Sequence, residues 1–163
     1  MKTAIQKEAE QLVEATLAEC MSVAKSHRDV FDHRFSVPEL TMSWAANRTR
    51  SRGGVRRGKP IVSIAMGRHV PTEIPEVEGY YMTEYSHIRN SKRIGAFHSV
   101  DWHDVVKAVV CHEVAHSIQY QPLYQFNQFY QKPHGDGWRT LYGKLRDELV
   151  NGSQHIFGRG CAR

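Results

Sequence analysis

One segment constrains this chain more than any other. Val105, Val106, Val109, Val110, Val114 and Ile118 recur at helical spacing, which predicts a strongly buried helix up to about Gln121. Ser99 or Asp101 can cap its start, and Asp101 followed by Asp104 resembles a capping box with a shorter acid. Pro122 stops it. Inside this helix lies Cys111-His-Glu-Val-Ala-His116. Two histidines and a glutamate buried among valines cost free energy unless they have a partner.

A metal ion is such a partner. Residues four apart sit about one helical turn apart on the same face, so His112 and His116 can reach one ion with zinc–nitrogen bonds of roughly 2.0–2.1 Å. Glu113 lies about 100° around the helix from His112. That offset keeps it off the metal but beside a metal-bound water, whose proton it can take because zinc lowers the water's pKa. A catalytic zinc also needs a third protein ligand and one open position. The long pattern H-E-x-x-H-x-x-G-x-x-H is excluded, because Gln119 and Pro122 stand where its glycine and last histidine would fall. Asp136, Asp147 and Glu148 are acidic alternatives, the last two on a polar helical stretch that reads as solvated surface. His134 is the preferred third ligand. It follows Pro133, opens a helix, and stands far enough beyond His116 for the chain to fold back. The other histidines read as surface or hydrogen-bonding residues, and Cys111 as a small apolar group. Tyr120, Tyr142, Arg139 and His155 are candidates for stabilising a developing oxyanion.

Around this centre the pattern predicts a mixed α+β domain. An amphipathic helix is expected over about 3–26, with Ile5, Leu12, Val13, Leu17, Cys20, Met21 and Ala24 on its apolar face. Leu40, Met42 and Trp44 alternate with polar residues as in a strand. Asn47 to Lys59 holds Arg48, Arg50, Arg52, Arg56, Arg57 and Lys59 among Gly53, Gly54 and Gly58, and is expected to be a mobile loop. Pro60 opens a second strand, Ile61–Met66, so the two strands are expected to form a hairpin with a long basic tip. Residues 67–79 read as loop or a short helix. Tyr80–Ile88 and Arg93–Phe97 can form two short strands with a turn at Asn90-Ser91, with Glu84 to Ile88 open between helix and strand. A last helix is expected over about Asp136–Val150, stopped by Asn151-Gly152, followed by a loosely held tail.

The chain has 163 residues, which fits a single domain. Its net charge of +5 is compatible with an anionic partner. Cys20, Cys111 and Cys161 make an odd number without a C-x-x-C pair, which argues against a disulfide framework and for a reducing, cytoplasmic home. No apolar run of signal-peptide or membrane-spanning kind occurs, so a soluble protein with no membrane partner is expected.

His112-Glu-x-x-His116 followed by His134-Gly135-x-x-Trp138 resembles the SprT-like metallopeptidases, which include the Spartan proteases. The segments Trp44-Ala-Ala-Asn-Arg-Thr-Arg and Pro60-Ile-Val-Ser-Ile-Ala65 are similar to the strand pair before the active-site helix in that family. The resemblance covers about residues 35–150. It implies a zincin-like single domain, a small mixed or antiparallel sheet packed by helices, with one Zn²⁺ per chain expected, and, as in Spartan-type members, cleavage of DNA-associated proteins in a cytoplasmic, nucleoid or nuclear setting. Many members also carry a four-cysteine zinc ribbon, which this sequence does not contain.

The expected activity is therefore peptide-bond hydrolysis, with His112, His116 and His134 on zinc and Glu113 as general base. The basic segment from Arg48 to Lys59 is a candidate DNA clamp, since arginine grips phosphate with two parallel hydrogen bonds. The region from Gly67 to Ser99 is a candidate edge strand for aligning substrate. Two other functions stay open: a regulatory or antirestriction-type zincin acting on one protein partner, and a nucleic-acid-binding module with structural zinc. Glu113 argues against the last, because a structural site has no use for it.

Overall fold

The computed structural model describes residues 2–27, 35–45, 50–71, 79–82, 88, 91, 93–121 and 132–151. The expected turn residue Asn90, the helix stop at Pro122, the tail from Gly152, and Arg48 and His155 lie outside these residues.

Helix α1 spans Ala4–Ser26. Its start is fixed by a reciprocal pair: the Thr3 hydroxyl accepts from the Gln6 amide, and the Gln6 side chain accepts from the Thr3 amide. Ala9, Val13, Leu17, Cys20, Met21 and Ala24 form its buried stripe. That stripe packs on α3, Trp102–Gln119, the central helix of the domain. Cys20 and Cys111 meet at this interface with sulfurs 3.8 Å apart, both fully buried. Asp101 caps α3 by accepting from the His103 amide at 2.9 Å. Asp104 does not complete a capping box; its carboxylate accepts from the Ser99 hydroxyl instead. Fifteen of the α3 side chains are buried, because α1, the sheet and α4 surround it.

Three strands form the main sheet: β1 (Glu39–Ser43), β2 (Arg52–Arg56) and β3 (Lys59–Ala65), in the order β1-β3-β2. Here the structure departs from the expected hairpin. β1 and β3 run parallel, Glu39 opposite Ile61 and Ser43 opposite Ala65. Parallel neighbours cannot be joined by a tight turn, so the chain must return between them. Part of the segment expected to be loop makes that return as β2, antiparallel to β3 with Arg56 opposite Lys59. The true hairpin is β2–β3. Its two turn residues, Arg57 and Gly58, have φ of 51° and 77°, the positive values a type I′ turn demands.

After β3 comes a single helical turn, α2 (Met66–His69). β4 (Tyr80–Met82) and β5 (Phe97–Ser99) then pair antiparallel as a separate two-stranded ribbon, Tyr80 opposite Ser99. β5 starts later than the apolar pattern suggests. The Gly95 amide donates to the Ser91 carbonyl and the Ile94 amide to the Ser91 hydroxyl, which commits Arg93–Gly95 to a turn. Helix α4 (Asp136–Arg146) continues into a short π-helical turn, Asp147–Asn151, in keeping with a helix expected to reach Val150. It lays Trp138, Leu141, Tyr142 and Leu145 against α3. The result is a small mixed α/β domain with a three-stranded sheet packed by helices.

Candidate metal centre

The site is built where α3 meets the turn before α4. His112 and His116 project from one face of α3, one turn apart. His134 comes from the opposite side. The Lys132 carbonyl accepts from the Gly135 amide at 3.0 Å, closing a tight turn, and His134 itself adopts φ of 62°. Left-handed backbone is uncommon for a residue with a β-carbon and costs on the order of 1–3 kcal/mol where it is imposed. Arg139 donates from Nε to the His134 carbonyl at 3.0 Å and so helps to hold that conformation.

The three imidazoles present the same atom to one point. Nε2 of His134 lies 3.0 Å from Nε2 of His116 and 3.2 Å from Nε2 of His112. Bonds of about 2.0–2.1 Å to a tetrahedral ion imply ligand nitrogens roughly 3.3 Å apart, so the spacing fits a metal. The imidazoles cannot satisfy one another fully, because a neutral ring offers one N–H and one lone pair. Burial first, then the neighbouring His112 and His134, push the His116 pKa down to about 3, while Gln119 opposes the fall. At neutral pH the ring is uncharged, the form that ligates. Among the described residues this is the one group of three or more such side chains close enough to hold an ion.

Trp138 forms the floor. Its ring lies 4.6, 4.7 and 5.2 Å from the rings of His134, His112 and His116, and its Nε1 donates to the His112 carbonyl at 3.3 Å. Tyr142 packs behind it, 4.7 Å from Trp138 and 5.3 Å from His112. The sequence shows only that a tryptophan follows His134 by one turn; that it touches all three histidines is a tertiary fact.

Glu113 sits in α3 beside His112 and is more than nine-tenths buried. The strand β2 passes directly over its backbone: a β-carbon at Gly53 would lie 1.7 Å from the Glu113 carbonyl oxygen. The Ser117 hydroxyl adds a bond to the Gly54 carbonyl at 3.3 Å. By composition Gly53 belongs to a flexible loop. It instead permits a strand to touch the site helix, and the clue in the sequence is a glycine within a β-compatible run.

The acidic alternatives for the third ligand are engaged elsewhere or stand apart. Asp147 pairs with Arg93 at 2.7 Å, Glu148 with Lys144 at 3.0 Å, and Asp136 is exposed in the first turn of α4. Of the oxyanion candidates, Tyr120 stacks on His116 at 6.0 Å, Tyr142 is buried under His112, and Arg139 holds the His134 carbonyl. Two further histidines among the described residues play ordinary parts. Burial pushes the His69 pKa down to about 4, with Ser51 beside the ring, and His103 bonds Glu8 and Asp101.

Of the basic residues, Arg52, Arg56, Arg57 and Lys59 lie on the β2–β3 hairpin and Arg50 just before it. Arg52 and Arg56 share the face of β2 opposite to Gly53, and Lys59 is the cross-strand partner of Arg56. Arg50, Arg52, Arg56, Arg57 and Lys59 are all exposed.

The fold and site together define a small α/β domain with a three-histidine centre able to hold a metal ion. The sequence profile of the SprT-like family matches residues 21–155, and the chain belongs to that family. No curated protein and no solved structure matches it significantly. Among the described residues no helix is long and apolar enough to cross a membrane.

Proposed function

We propose that this protein is a zincin-like endopeptidase that uses zinc held by His112, His116 and His134. The observation that carries the reading is the convergence of three buried Nε2 atoms from two separate segments, with Glu113 between two of them in sequence. Membership in the SprT-like family supports it. Zinc in that place would supply Lewis-acid polarisation of a water and of the scissile carbonyl. Glu113 takes the proton from the attacking water and returns it to the leaving amine. Trp138 and Tyr142 keep the rear of the centre dry, and β2 offers a strand edge beside the site helix along which an extended substrate can pair. A structural zinc module is disfavoured: the group holds three ligands among the described residues, whereas structural sites are normally closed by four.

The exposed basic face of the β2–β3 hairpin favours DNA as a partner that holds protein substrates near the centre. Protease assays with single-stranded DNA, double-stranded DNA or none, with Glu113→Gln as control, test both parts. Zinc-dependent cleavage that DNA stimulates is expected. Cleavage indifferent to DNA would favour an enzyme devoted to one protein partner, and no cleavage in a zinc-loaded chain would overturn the peptidase reading.

A further inference from the structure

His116 and Gln119 stand three residues apart on α3 and therefore share a helix face. His116 directs Nε2 to the ligand point. Its other ring nitrogen, Nδ1, is buried without a hydrogen-bond partner among the described residues, and so is Oε1 of Gln119. Each such orphan is costly to leave buried. Both side chains are buried on that face of α3, about one helical turn apart. The far end of the same amide, Nε2, reaches the Lys132 carbonyl at 3.5 Å. Lys132 closes the turn that presents His134.

The chemistry of the two orphans is complementary. A neutral imidazole that ligates through Nε2 carries its proton on Nδ1 and is a donor there, while an amide oxygen only accepts. Ligand histidines ordinarily give that N–H to a carbonyl or carboxylate, which fixes the tautomer and the ring orientation. We propose that Gln119 is a positioning residue of the metal centre, accepting the His116 Nδ1–H through Oε1 and holding the His134 turn through Nε2. One side chain thereby sets the angle of one ligand and the placement of another. The inference rests on the metal reading above and extends it to a residue that does not touch the ion.

The test compares the full chain with Gln119→Met, similar in length but without polar atoms, and Gln119→Glu, which keeps an acceptor. Zinc affinity is read by competition with a chromogenic chelator, ligand geometry by the visible spectrum of the cobalt(II)-loaded chain, and packing by thermal unfolding of the zinc-free chain. Gln119→Met should lose about 10–100-fold in zinc affinity and shift the cobalt spectrum. Its zinc-free melting temperature should fall by no more than the loss of one or two buried hydrogen bonds brings, too little to account for the weaker binding. Gln119→Glu should bind zinc within a few-fold of the wild type. Unchanged affinity and spectrum in Gln119→Met would overturn the proposal. So would a fall in zinc-free stability that accounts for the weaker binding, since Gln119 would then act by packing. A wild-type chain that takes up no metal would sink the metal reading itself, an outcome distinct from either.

Discussion

Helix α3 and the β2–β3 hairpin lie against each other, yet their ionisable groups live in opposite surroundings. His112, Glu113 and His116 are more than nine-tenths buried, whereas Arg52, Arg56, Arg57 and Lys59 stand in solvent. Around α3 position is decided by packing: Trp138 under the rings, β2 over the Glu113 backbone, a strained His134 held by Arg139. On the hairpin only a two-residue turn and a ladder place the charges. Interactions in a dry interior are strong and depend on geometry, while those of exposed charges are weak singly and screened by salt. The contrast teaches where an alteration should be abrupt and where it should be graded.

The sharpest break is expected at His134. Replacing it with Ala removes one of three ligands, about a third of a binding free energy on the order of 10 kcal/mol, so zinc affinity should fall on the order of 10²-fold or more. Equilibrium dialysis and peptide hydrolysis should fail together. Retained zinc with full activity would return the third-ligand role to Asp136 or Glu148.

Glu113→Gln should separate catalysis from binding. Zinc content and melting temperature should stay near those of the wild type while hydrolysis drops about 10²–10⁴-fold, the usual cost of losing a general base. Wild-type turnover in this variant would remove the proposed mechanism.

Two glycines of the hairpin probe how closely the two regions press together. Gly53→Ala would drive a β-carbon into the Glu113 carbonyl, so β2 must lift off α3 at about 3 kcal/mol or more. Gly58→Ala meets nothing within 4 Å and should cost only its positive φ, about 1–2 kcal/mol. Urea unfolding of the two variants measures the difference. Equal destabilisation would mean that the strand does not press on the helix.

The smallest effect on the centre should come from changing Arg50, Arg52, Arg56 and Arg57 together to Ala. DNA affinity at low salt should fall, and its salt slope should become shallower by about one unit for each phosphate no longer neutralised. Zinc content and DNA-independent hydrolysis should not change. Fluorescence anisotropy across a salt series provides the reading, and identical curves for variant and wild type would take the hairpin out of the interface.

Much of this is legible in order along the chain, because helix and strand periods are local. The buried stripe of α1, the apolar α3 with its histidines one turn apart, and the extent of α4 with its π turn follow from residues a few positions away. The preference for His134 over the nearby acids also rests on sequence and agrees with the geometry. The sheet is legible only in part. Gly53, Gly54 and the arginines look like a loop by composition, but Gly53 is a strand residue because α3 occupies the space where its side chain would be. That β1 pairs in parallel with β3 cannot be read from either strand, since alternation is the same for both directions. The sequence by itself determined which atoms could ligate, since imidazole chemistry and helical spacing travel with the residues. Only the tertiary structure decided that Nε2 of His134 meets the other two, that Trp138 lies under all three, and that His116 and Gln119 each bury a polar atom with no partner among the described residues. Those relations join segments far apart in sequence, and packing between them leaves no periodic trace in the chain.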